Sequence, residues 1–343
     1  MKKFISIIVA FLLALCVFTA GCSCSGEETL SFSIDATIPE TFEYSVKYKD
    51  DYLGNYKKSV ATSDSFDYKY DDENATFVTK LSQVNELPSN IKDNNIVNSD
   101  TVNKTVYKFT TEFSIPLTVT VNDKEYTHTE QVKTTAFIAS SGVSLAPIYS
   151  IEQSEYYEIS ISTQNNAIVK ILKTETETIY GTEEFTATKK YKEFNLDQEI
   201  TEITPENATT TETTRKYTFR SAIDNAELLF ALRAISVAAS ASISLPVVSP
   251  SYQQATALKV TNEGSATDKF DINDEKQDKT YNTYSFCVNN SNTAGLTQYV
   301  KVQTTESKNG NALLLEYAKP LICVYNGNYA SMGWLVFTLS KIA

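Results

Sequence analysis

The chain holds a single histidine, His128, and five cysteines among 343 residues, so the residues able to do chemistry are few. Tyr126, His128 and Glu130 recur at period two, which puts all three on one face of a strand. A His–Glu pair can orient a base. No serine or cysteine nucleophile motif accompanies it, and His128 is expected to be a surface or strand-packing histidine. Oxygen ligands gather in Asp71-Asp72-Glu73 and from Asp268 to Glu275. A calcium loop starting at Asp271 needs glycine at its sixth position and glutamate at its twelfth. Those places hold Lys276 and Asn282, and both acidic stretches read as solvated turns.

Ser89-Asn90-Ile91-Lys92 has the SxxK spacing in which a lysine serves as base to a serine. It resembles that motif of penicillin-binding proteins, but the companion Lys-Thr-Gly is absent. Pro88 and the Asn/Asp cluster that follows point to a loop, where those enzymes use a helix. Cys287 and Cys323 both sit in apolar, strand-like runs. Two readings stay open for them: a disulfide, which would stabilise by about 3.8 kcal/mol in the chain-entropy account, or two buried free thiols. No CxxC spacing is present and His128 is remote in sequence, so no metal site and no cofactor is expected.

Composition excludes more. With 30 Lys+Arg against 42 Asp+Glu, the formal charge is −12, and such a surface repels nucleic-acid phosphates. Ten glycines, none in a phosphate-loop pattern, leave no nucleotide cradle. The 42% apolar content, rich in Tyr and Phe, is enough for a packed core.

The most specific pattern stands at the start. Met1-Lys2-Lys3 is a short basic segment, and Phe4 to Ala20 is mostly apolar, the layout of a secretory signal peptide. It ends in Thr19-Ala20-Gly21-Cys22, small residues before a cysteine. This resembles the lipobox of bacterial lipoproteins, with Thr19 standing where an aliphatic residue is usual. The resemblance implies a diacylglycerol on the Cys22 thiol and cleavage on its N-terminal side. Two or three acyl chains suffice for stable anchoring. The expected organisation is a signal peptide over 1–21, a lipid-anchored tether over 22–29 and one large β domain over 30–343. The domain is expected to be exported and to face outward, on a cell surface or in a periplasm.

Beyond the tether, apolar residues alternate with period two almost throughout, the mark of half-buried strands. Phe42, Tyr44, Val46 and Tyr48 share one face, as do Phe66, Tyr68 and Tyr70. From Tyr107 the alternation continues to Val121, Asn122-Asp123-Lys124 turns the chain, and Tyr126 to Ile138 runs back as a hairpin. Pro116 inside the outgoing strand suggests an edge or a bulge. Further strands are expected over 155–162, 167–180, 183–194, 215–219, 255–261, 279–288, 297–304, 312–317, 321–325 and 333–340. The alternating Thr174–Thr178 segment reads as solvated, and the Thr209–Thr214 tract as a loop leading into a strand. The last strand is apolar on both faces, which implies a central position.

One helix is expected near 224–240. Asp224-Asn225-Ala226-Glu227 has the layout of a capping box, and Leu228, Leu232, Ile235 and Ala239 form a stripe behind it, fading out by Pro246. The fold class is therefore all-β dominated, a long curved antiparallel sheet or half-barrel wrapped round one apolar helix. At the level of architecture this looks like the half-barrels of lipoprotein-carrier proteins, without a shared motif.

Three functions fit this frame. One is a non-enzymatic envelope protein, held to the membrane through Cys22, that binds a lipid, glycan or peptide. Another is a structural or adhesive surface module without a small-molecule pocket. The last is a carboxylate-based hydrolase of envelope polymers, for which a count of 42 acids carries no information. The anchor is testable directly: Cys22→Ala should move the protein from the membrane fraction to the soluble fraction, and unchanged retention would refute lipidation.

Overall fold

Period-two alternation becomes a single antiparallel sheet. The computed structural model describes residues 38–49, 66–85, 87–94, 105–140, 145–161, 167–216, 230, 240–247, 256–273, 280–290, 297–304, 309–318 and 334–343. Fifteen strands follow in chain order: β1 (Glu40–Lys49), β2 (Phe66–Tyr70), β3 (Thr76–Val84), β4 (Thr105–Val121), β5 (Lys124–Ser140), β6 (Leu145–Ile161), β7 (Ala167–Tyr180), β8 (Glu184–Asn195), β9 (Thr209–Lys216), β10 (Ser242–Val247), β11 (Thr256–Lys269), β12 (Thr280–Asn290), β13 (Thr297–Thr304), β14 (Asn309–Ala318) and β15 (Trp334–Ile342). Their order across the curved sheet is β10-β11-β12-β13-β14-β15-β1-β3-β4-β5-β6-β7-β8-β9, with β2 pairing β4 off this path. Two meanders of sequential neighbours are thus joined through β1, which lies between β15 and β3.

Of the aromatic faces expected for the early strands, Phe42, Tyr44, Val46, Phe66 and Tyr70 are buried, Tyr68 is half-buried and the Tyr48 side chain lies outside the described residues; β3, which the alternation did not single out, adds Phe77 and Leu81. Phe42, Tyr44, Val46, Phe77 and Leu81 are all at most 4% exposed, and Phe109, Ile115, Leu117 and Val119 are fully covered. Rings from four strands meet at this junction. Phe77 lies 4.7 Å from Phe337 and 5.1 Å from Tyr44, and Phe113 stands edge-on to Phe337. The last strand is central, as its two apolar faces imply: it pairs with β14 and β1, and Leu335, Val336, Phe337 and Leu339 are buried.

The long hairpin matches its sequence. β4 and β5 are 17 residues each, joined by Asn122-Asp123 with φ of +50° and +63°, the left-handed pair that a two-residue turn of matching twist requires. Pro116 is neither at an edge nor in a bulge. Its carbonyl accepts from the Asp71 N–H, so its missing N–H points to the β2–β3 side. The β3 ladder on β4 stops at Ser114 and the β2 ladder starts at Leu117, leaving Pro116 at the changeover, where no β-ladder bond is lost. A bulge does occur at Gly264, whose φ of +124° excludes a side chain on conformational grounds although nothing crowds the position. The fully buried Asn262 accepts the Gly264 N–H there.

Several expectations are corrected. Thr174 and Thr178 are buried rather than solvated, because threonine hydroxyls bond across strands inside the sheet: Ser154 and Thr174 oxygens lie 2.6 Å apart. The Thr209–Thr214 tract is not a loop. It opens edge strand β9 on β8, where β-branched residues favour extended backbone even when polar. The chain is already in β10 from Ser242, after Ser240 turns at φ +65°, and Pro246 is tolerated because β10 ends the strand path. β6 begins ten residues earlier than the alternation suggested, since Ala146, Ile148 and Tyr149 are buried on both faces around a register shift.

The helix expected near 224–240 lies outside the described residues except for Ser240, which is in a turn, and Phe230. Phe230 is in helical conformation, fully buried, and its ring lies 5.6 Å from Phe109 and 6.0 Å from Tyr107. Beside Phe109 the sheet presents a row of small residues in register, Ala136, Ser150, Thr178 and Ala187, each at most 3% exposed. Phe109→Ala should therefore lower unfolding free energy by about 3–5 kcal/mol in urea titrations. Thr209→Ala on the exposed strand should stay within about 0.5 kcal/mol of the parent.

Candidate functional site

The β5–β6 ladder runs from Ser140 opposite Leu145 to Gln131 opposite Glu155 and stops there. Both strands continue: β5 stays on β4 down to Lys124, and β6 stays on β7 out to Ile161. The sheet forks at this point, and side chains bridge the gap that backbone bonds leave.

Glu130, fully buried, accepts the Tyr157 backbone N–H at 3.0 Å through Oε1, where a neighbouring strand would offer a carbonyl. The Tyr157 hydroxyl returns across the fork and donates to the Tyr126 carbonyl at 3.0 Å. His128 lies between them, its ring edge-on to Tyr157 with centroids 5.6 Å apart. Its Nε2 is 3.1 Å from Glu155 Oε1, near enough for an ion pair but without hydrogen-bond alignment, and it has no other hydrogen-bond partner among the described residues. Lys173 of β7 approaches the other Glu155 oxygen at 3.4 Å and Glu202 at 3.7 Å. At the hairpin tip Lys124 pairs with Asp197 in the segment after β8.

The electrostatics follow from this packing. Burial works against ionisation of Glu155, but His128 and Lys173 outweigh it and hold the carboxyl below its ordinary value. Burial pushes the Tyr157 phenol far up, so it remains a donor at neutral pH. Ile115 and Leu117, fully covered on β4, stand opposite Glu130 and His128 and supply the apolar floor. Every polar group in the fork points at the facing strand or at a charge. The arrangement ties strands together.

His128 and Glu130 share a strand face, as their spacing implies, but they do not pair with each other. His128 takes Glu155, and Glu130 takes the Tyr157 amide. Glu155, Tyr157 and Lys173 carried no signal in the sequence, since each meets its β5 or β6 partner only through sheet register. Ser89 and Lys92 are both exposed around a 3-10 turn, Ser89–Ile91, and make no dyad. That turn instead docks through buried Ile91 and through Asn90 and Asn94, which donate to Glu177 and to the Tyr180 carbonyl. Glu177 also accepts from Tyr149, whose phenol is pushed up to about 12 by burial and this neighbour.

The acidic stretches are structural where described. Asp71 caps its turn by accepting from Asn74, and Asp268 accepts from the Thr283 hydroxyl at 2.6 Å. Phe270 and Ile272 are buried on either side of exposed Asp271. No group of three or more His, Cys, Asp or Glu side chains able to hold a metal occurs among the described residues. Cys22 and Cys323 lie outside the described residues. Cys287 is in β12, opposite Thr261 and Tyr299, but its side chain lies outside them too.

No family model matches the sequence, and no curated protein matches it. Among solved structures the chain is similar to a beta-barrel-like protein of a domain of unknown function, DUF1849, from Brucella abortus. The two are 8% identical with a TM-score of 0.40, over 89% of this chain and 97% of that one.

The fork should respond to acid in a defined direction. Because the folded Glu155 carboxyl titrates below its ordinary 4.5, its stabilisation is complete above that pH and is lost as pH falls through the lower folded value. Glu155→Gln should cost about 1–3 kcal/mol at pH 7, and its deficit should shrink below pH 4.5. Urea midpoints across pH 3–7 read both effects; parallel curves for parent and variant would refute the assignment.

Proposed function

We propose that the chain is a non-enzymatic, lipid-anchored envelope protein whose curved sheet holds an apolar helix and binds an apolar or amphipathic ligand. The anchor follows from the Cys22 context in the sequence. The observation that carries the binding reading is the buried, helical Phe230 on the Tyr107–Phe109 face. Next to it the row Ala136, Ser150, Thr178 and Ala187 keeps side chains short, so that a helix or a bound chain can approach the backbone closely. Wide antiparallel sheets covered on one face by an element of their own are suited to enclosing a ligand of the same polarity. A lipid, an acylated peptide or a glycan with an apolar face meets that description.

A second reading has an observation of its own. Among the described residues strand β9 ends the sheet, and it is exposed along nearly its whole length, as a surface-interaction module would present an edge to a partner.

Native mass spectrometry of residues 27–343, prepared without detergent, separates the two. A reproducible excess mass that denaturation releases as lipid, glycan or peptide is the expected result and names the ligand class. A clean apo mass would overturn the ligand reading and favour the edge-binding one.

A further inference from the structure

We propose that β9 is a self-pairing edge through which two copies of this chain join their sheets about a two-fold axis. This goes beyond the ligand reading and does not depend on it. The phase of the edge comes from the β7–β8 hairpin. The Gly181 N–H donates to the Glu184 carbonyl at 2.7 Å, so Glu184 faces β7 and Phe185 faces β9. Backbone direction alternates along a strand, and Phe185 lies opposite Arg215. Arg215, Thr213, Thr211 and Thr209 therefore turn their backbone groups to β8, and Thr210, Glu212, Thr214 and Lys216 turn theirs outward. No strand continues the ladder on that side among the described residues.

Natural edges are normally blocked by proline, bulges or charge. The β8–β9 ladder runs unbroken from Thr209 to Lys216, without proline or register shift, and seven of its eight β9 residues are exposed. The charges are the only obstacle, and their spacing selects a partner. A two-fold antiparallel pair must set outward residues against outward residues. Centred on Glu212, that places two carboxylates together. Centred on Thr213, it sets Glu212 against Thr214. Centred on Thr214, it sets Glu212 against Lys216 of the second copy, and symmetry makes the contact twice. Thr213 then meets Arg215, and no like charges face each other. The Thr214 pair on the axis adds a β-branched contact of the kind strands favour. An unrelated peptide has no reason to reproduce this reciprocal spacing; the chain itself does.

The register gives a sharp test. Opposed residues of such a pair have Cα atoms about 5.5 Å apart, within disulfide range. In the full chain, oxidised at moderate concentration beside the parent with its native cysteines, Thr214→Cys should form a covalent dimer. Thr210→Cys should not exceed the parent background, because its two copies would lie roughly 26 Å apart. Adding Glu212→Lys to Thr214→Cys should cut the crosslinked fraction several-fold, and adding Lys216→Glu to both should restore it. Equal crosslinking at 210 and 214, none at 214, or no recovery in the charge-swapped variant would each overturn the proposal. All four positions are exposed, and circular dichroism confirms that each variant is folded.

Discussion

The two meanders of this protein are held in one sheet, and β1 provides the hold. It pairs with the last strand along one edge and with β3 along the other, so the first and last described strands close on each other. The backbone of Thr41 exchanges both hydrogen bonds with Ala343 at the end of that seam. Phe77 packs on the rings of both Tyr44 and Phe337 there, and Phe113 completes the cluster. Contacts between residues about 300 positions apart close late, because chain entropy must be spent before they form. The aromatic cluster supplies what makes that closure favourable.

Where the ladder ends, side chains take over its work. The β5–β6 fork would leave backbone groups facing a gap, a costly arrangement in a covered region. Glu130 and Tyr157 offer an acceptor and a donor at the positions a continued ladder would occupy. A buried carboxylate is expensive by itself, but here it is hydrogen-bonded, and Glu155 is set between a histidine and a lysine. On the opposite edge of the same hairpin, β4 carries β2 beyond the point where β3 ends. The chain's one histidine is thus placed to hold strands.

Covered face and open edge divide the protein between them. The inner rows run from Leu81 and Phe109 through small residues to Ala187, and β9 continues the same row in threonine. Burial falls away over a single strand. Such an abrupt change leaves a polar edge with charges of both signs instead of a hydrophobic rim, which keeps the sheet from indiscriminate growth.

Much of this was legible in the residues. Period-two alternation is local, so most strand positions, the Asn122-Asp123 turn and the apolar faces of β1 and β4 could be read directly, whereas β3 was not. Threonine misled in both directions: Thr174–Thr178 and Thr209–Thr214 look alike in composition, yet Thr174 and Thr178 are buried and the other tract is an exposed edge. Strand neighbours decide that, and composition does not record them. The same holds for His128. Its strand face was readable, but Glu155, Tyr157 and Lys173 reach it through register across β5, β6 and β7. Local propensity sets the backbone of each segment; pairing between distant segments sets which side chains meet, and only the tertiary structure holds that information.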